Sequence, residues 1–82
     1  MTVTFKLFAS LSSYLPPEAK DHQVRLEVPA GTSALDLLQS NGVPLGQVHL
    51  VLINGVFVPP SRREQTLSEG DELAVWPAVA GG

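Results

Sequence analysis

The sequence predicts an α+β domain, a mixed sheet of four to five strands with one main helix packed on one face. Three observations lead there. Residues 2–8 and 23–28 alternate apolar and polar side chains with the period of a half-buried strand. The segment Ser33-Ala34-Leu35-Asp36-Leu37-Leu38 carries a helix start followed by a helical apolar stripe. Asn54-Gly55 sits between two apolar runs, a strong hairpin signal because both turn positions need positive φ.

In chain order, Val3, Phe5 and Leu7 point one way, and Thr2, Thr4 and Lys6 the other. Residues 9–15 suit one or two helical turns with Leu11 and Leu15 on one face. Pro16-Pro17 stops them, because proline lacks an N–H and restricts the residue before it. Val24, Leu26 and Val28 face inward from the second strand. Pro29-Ala30-Gly31 then turns the chain into the helix. There Ser33 and Asp36 have the spacing of a capping box, with Thr32 as the competing cap, and the acid suits the positive helix end. Leu35 and Leu38 share the apolar face, and Asn41-Gly42 supplies a left-handed stop.

Leu50-Val51-Leu52-Ile53 shows no alternation and reads as a central strand covered on both sides or edges. Residues 56–58 return from the hairpin turn, Pro59-Pro60 ends them, and residues 61–66 read as a polar exposed loop. Leu67-Ser68-Glu69-Gly70-Asp71 is a turn, and residues 72–76 form the last strand. Local propensity does not give the order of these strands in the sheet.

Eighty-two residues are expected to make one domain over 1–82, with a flexible tail at 77–82. No stretch approaches the roughly 18 apolar residues of a membrane span. The first residues lack the basic-then-apolar shape of a signal peptide, so a cytoplasmic protein is expected. Zero cysteines exclude disulfides, a thiol nucleophile and cysteine metal sites. A net charge of -3, with Arg62-Arg63 as the one pair of adjacent cations, argues against nucleic-acid binding.

Most side chains that could do chemistry have a plainer role. Asp71 and Glu72 are strand neighbours on opposite faces, a poor acid–base pair, and suit a turn. His22 and His49 lack the spacing of a metal site, so no metal is expected. Ser10, Ser12 and Ser13 have no visible base, and no phosphate-binding G-x-x-x-x-G-K-[ST] loop occurs.

The tail is different. The chain ends Pro77-Ala78-Val79-Ala80-Gly81-Gly82. Pro77 fixes one φ angle and limits the directions in which the tail leaves the sheet. Gly81 and Gly82 carry no side chain and can thread a channel too narrow for other residues. A random chain ends in two glycines about 0.5% of the time, so chance is a poor account; a cut in a longer chain is the other. The expected working group is the carboxylate of Gly82, with Gly81, Ala80, Val79 and Pro77 threading it into a partner. Phe57 and Trp76 are either core or sheet-face residues or a docking patch, and Arg62 and Arg63 are either solvated or paired with acids on that partner.

In Phe5-Lys6-Leu7-Phe8-Ala9, Gly31-Thr32-Ser33-Ala34-Leu35-Asp36-Leu37-Leu38, Leu52-Ile53-Asn54-Gly55 and Leu67-Ser68-Glu69-Gly70-Asp71-Glu72-Leu73-Ala74-Val75, the chain resembles the ubiquitin-like β-grasp sulfur carriers, the molybdopterin synthase small subunit and the thiamine sulfur carrier. The ending from Trp76 is more similar to the molybdopterin subunit, although Ala78 stands where that subunit often has a second proline. Tyr14-Leu15-Pro16-Pro17-Glu18, Gly42-Val43-Pro44-Leu45 with Val48, and Leu50-Val51-Leu52-Ile53-Asn54-Gly55 resemble a second group, the ubiquitin-like domains fused ahead of Mut7-C RNase-type domains, which need no terminal diglycine.

The carrier resemblance implies a protein cosubstrate rather than an enzyme. An E1-like enzyme would adenylate Gly82 with ATP. Sulfur from a donor such as a cysteine desulfurase or rhodanese would replace AMP, and the thiocarboxylate would serve a sulfur-accepting synthase large subunit. The chain itself would bind no cofactor. Molybdenum or tungsten pterin synthesis is the favoured pathway. Thiamine, tRNA thiolation and cysteine synthesis, a ubiquitin-like modifier, and a non-catalytic interaction module are the alternatives.

Overall fold

Strand β1, Thr2–Leu7, forms because its alternation is real: Val3, Phe5 and Leu7 are buried while Thr2, Thr4 and Lys6 are half-exposed. In the computed structural model, which describes residues 1–78, β1 pairs antiparallel with β2, Gln23–Glu27. Between them lies a 3-10 helix, Ala9–Tyr14, a tighter turn than an α-helix, with Leu11 buried. The β1–β2 connection closes at Lys20 and Gln23, which exchange main-chain hydrogen bonds around Asp21 and His22, both at positive φ.

The helix α1, Ala34–Ser40, begins at the expected capping box. Asp36 N–H donates to Ser33 Oγ and Ser33 N–H donates to Asp36 Oδ2, each at 3.0 Å. Thr32 does not compete for the cap; its hydroxyl donates to the Pro29 carbonyl. Because Ser33 is buried, Ser33→Ala strands the Asp36 amide from any replacement partner. A loss of about 1–2 kcal/mol is expected, read as a lower urea midpoint at unchanged slope. Ala34, Leu37 and Leu38 form the buried stripe, whereas Leu35 lies half-buried at its margin rather than at its centre. Asn41 caps the end, and Gly42 takes the left-handed conformation at φ 73.

A 3-10 turn, Leu45–Gln47, leads into β3, Val48–Ile53, which starts two residues earlier than the apolar run suggests. The hairpin turn is as read: Asn54 and Gly55 sit at φ 52 and 79. The returning β4, Val56–Phe57, has two residues, although Val58 N–H still bonds to the Val51 carbonyl. Residues 61–66 are exposed as expected, apart from Arg63, but the segment is ordered. A 3-10 turn, Pro60–Arg62, folds the segment back, and half-buried Arg63 donates from Nη2 to the His49 carbonyl at 3.2 Å. Strand β5, Glu72–Pro77, includes Pro77, so the tail begins one residue later than the sequence suggests.

The sheet order is β2-β1-β5-β3-β4. Thus β5, not β3, lies at the centre, parallel to β1 on one side and antiparallel to β3 on the other. The helix-side face holds the core: Val3, Phe5, Leu7, Val24, Val51, Leu73 and Val75 meet Leu37 and Leu38 of the helix. One polar knot ties the hairpin to β5. Asn54 Nδ2 donates to Asp71 Oδ1, the Glu72 amide donates to Asn54 Oδ1, and Asp71 Oδ2 accepts from the Ser68 amide. Asp71 therefore shapes a turn, as its position suggests.

Candidate functional site

The candidate site lies at the end of β5, where the chain leaves the sheet. Leu73 and Val75 of β5 fill the core, so by strand alternation Glu72, Ala74 and Trp76 emerge on the opposite, outer face of the sheet. Cross-strand pairing sets their neighbours: Leu50 lies opposite Trp76, Leu52 opposite Ala74, and Phe57 opposite Leu52. The outer face thus carries an apolar band from β4 to the end of β5.

Phe8, just past the end of β1, closes the band. Its ring lies 4.4 Å from the Trp76 ring with 6° between planes, and 5.6 Å from the His22 ring. The His22 ring is delivered there by the Asp21-His22 turn. Sequence reasoning missed Phe8 and His22. The parity signal was present for Phe8, since it follows Lys6 by two residues and falls on the same outer face. Beside the stack an open groove of about 470 Å³ is lined by Ala9, Ser10, His49, Leu50, Trp76 and Pro77, and reaches Ala78. The nearest charges on β1 and β5 neutralise each other, with Lys6 Nζ 2.7 Å from Glu72 Oε1.

Of the residues singled out in the sequence, Gly82, Gly81, Ala80 and Val79 lie outside the described residues. Pro77 is the last residue of β5 and pairs with Val48. Trp76 is half-buried in the aromatic stack. Phe57 is 56% exposed on the same face but lines a second groove with Val56, Pro59 and Arg62. Arg63 is half-buried, with Nη2 donating to the His49 carbonyl of β3. Arg62 remains exposed.

Among the described residues no three His, Asp or Glu side chains gather as a metal site, and no helix is long and apolar enough to cross a membrane.

The family model described as Mut7-C ubiquitin matches residues 1–81. SAMP1 from Haloferax volcanii is similar in structure with a TM-score of 0.69 and 25% identity, covering 100% of both chains. The putative molybdopterin converting factor, subunit 1, from Pyrococcus furiosus shares the fold at a TM-score of 0.65 and 21% identity over 95% of this chain and 98% of that one. A chain from the complex of subunits 1 and 2 of the Helicobacter pylori molybdopterin-converting factor does so at 0.61 and 19%, covering 100% of each. No curated protein matches the chain.

Proposed function

The chain belongs to the Mut7-C ubiquitin family; we propose that it is a ubiquitin-like sulfur carrier whose working group is the Gly82 carboxylate. One observation carries this reading. The chain leaves the central strand at Pro77 beside an apolar groove, and the residues that follow Ala78 are Val79, Ala80, Gly81 and Gly82. A rigid exit, a contact face and a slender end are the parts needed to deliver a carboxylate into another protein's active site.

The chemistry follows from the group. A carboxylate is a poor electrophile, so an E1-like partner would join a Gly82 oxygen to the α-phosphorus of ATP, releasing pyrophosphate and leaving an acyl-adenylate. A persulfide sulfur then attacks the acyl carbon and AMP departs. A second thiol reduces the resulting S–S bond, itself becoming a disulfide, and the sulfur stays on Gly82 as a thiocarboxylate. Because this chain has no cysteine, both thiols and the persulfide belong to its partners, the activating enzyme and a desulfurase or rhodanese. The chain is then a cosubstrate and holds no cofactor.

Sulfur transfer to a molybdenum or tungsten pterin precursor on a synthase large subunit is the favoured destination. The shared fold with a molybdopterin converting factor subunit and the ending from Trp76 support it. The likeness to SAMP1, which a second structure describes as a small archaeal modifier protein, favours a second reading in which the same adenylate is passed to lysines of other proteins.

Intact mass of the untagged protein from its native host tests the proposal. The expected species is heavier by one sulfur-for-oxygen exchange that maps to Gly82 and is blocked by alkylation. High-mass conjugates through Gly82 would transfer support to the modifier. Unmodified carboxylate alone, even after incubation with host extract, ATP and a sulfur donor, would sink both and leave an interaction module.

A further inference from the structure

The two edges of the sheet are not equivalent. The β4 edge is two residues long and stops at Pro59-Pro60, which blunts it against further pairing. The β2 edge has no such protection. Its main-chain polarity can be read from its neighbours: Leu7 N–H bonds to the His22 carbonyl and Val28 N–H to that of Met1. In an antiparallel ladder, bonded and non-bonded pairs alternate, so Val24 and Leu26 also address β1, while Gln23, Arg25 and Glu27 point their N–H and C=O groups away. Gln23 is satisfied by Lys20. Among the described residues, Arg25 and Glu27 are left with free main-chain donors and acceptors on an exposed edge.

We propose that this edge pairs antiparallel with the same edge of a second copy, joining two sheets into one. The register centred on Leu26 is singled out by charge. It sets Arg25 opposite Glu27 of the second copy and Glu27 opposite its Arg25, both on the outer face. The same pairing puts Leu26 against Leu26 and Val24 against Val28 on the helix side. Its parity is also correct, since the outward-pointing residues Arg25 and Glu27 meet as a hydrogen-bonded pair and exchange both main-chain bonds, twice over by symmetry.

Moving the centre to Arg25 or to Glu27 would place like charges directly opposite each other, which disfavours both alternatives. The length of the ribbon is set at its ends. Lys20 already occupies the place opposite Gln23, and Pro29 has no N–H to offer. A ribbon this short gives a weak, salt-sensitive dimer and leaves the outer-face groove and the exit of β5 uncovered.

Sedimentation of the full chain across micromolar to millimolar concentration tests the pairing, with circular dichroism to verify each variant's fold. The unaltered chain is expected to shift from monomer to dimer. Arg25→Glu and Glu27→Arg, each creating two like-charge pairs, should weaken association by about tenfold or more. The double variant R25E/E27R, which restores both opposite-charge pairs with their signs exchanged, should recover it. Monomer at every concentration, single variants that associate undiminished, or a double variant no better than the single ones would overturn the proposal. Arg25→Glu alone leaves the Thr2–Glu27 hydrogen bond in place, so a loss of association there cannot be assigned to that contact.

Discussion

Deletion of Gly82 is expected to abolish adenylation and thiocarboxylate formation while leaving the melting temperature unchanged. The domain's side of this expectation rests on geometry: β5 ends at Pro77, and among the described residues the last to enter the core is Val75. Its chemical side rests on reach. Without Gly82 the carboxylate sits on Gly81, one residue or about 3.3–3.6 Å short of where the intact tail would place it. A displacement of even 1 Å from the productive geometry can cost roughly a hundredfold in rate, so a miss of this size should leave no measurable turnover. Pyrophosphate exchange with a purified activating enzyme and thermal unfolding of the same sample check the two halves. Retained adenylation would sink the carrier proposal.

The second large effect concerns the fold. Phe5 is fully buried, lying between Val24 of β2 and Leu73 of β5 in the sheet's register, and it is among the largest side chains of the core. Phe5→Ala is expected to cost about 3–5 kcal/mol, the lost transfer free energy plus an unfilled cavity. A domain of this size has about four to twelve kcal/mol in all, at 0.05–0.15 kcal/mol per residue. The variant should therefore melt about 15–30 °C lower or fail to fold at ambient temperature. A shift of only a few degrees would mean that the sheet and helix collapse over the void, contrary to a tightly packed core.

Those two positions also mark what could be read without coordinates. Phe5 was legible because one sheet face is covered by the helix, which forces strict alternation on β1. Ser33 and Asp36 were legible because a capping box is satisfied within four residues. Asn54-Gly55 was legible because two consecutive positive φ angles narrow the choice of residue. Each of these is a local requirement written in local sequence. The order β2-β1-β5-β3-β4 was not, since parallel pairing of the first and last strands is decided by packing between segments remote in sequence.

The same distinction explains the errors. Arg62-Arg63 looks like one solvated pair, yet tertiary packing draws Arg63 onto the open side of β3 and leaves Arg62 outside. Asp21-His22 carries no glycine, so nothing announced a turn with two positive φ angles there. Without that turn the His22 ring could not be placed beside Phe8. Of the candidate site, Trp76 and Phe57 are legible as sheet-face or docking aromatics, but their common face follows only from the cross-strand pairs of Leu50, Leu52 and Ala74 that connect them.

The parallel pairing of β1 with β5 has a mechanical consequence. Because the two strands run the same way, the start of β1 and the end of β5 lie at opposite ends of the ladder. A pull between Met1 and the residues after Pro77 acts along the strands and loads the β1–β5 hydrogen bonds together, in shear, instead of peeling them apart one by one. With β3 gripping the other edge of β5, a partner that draws on the tail tensions the domain along its stiffest direction. Whatever hauls on that end has to break the sheet as a unit or let go.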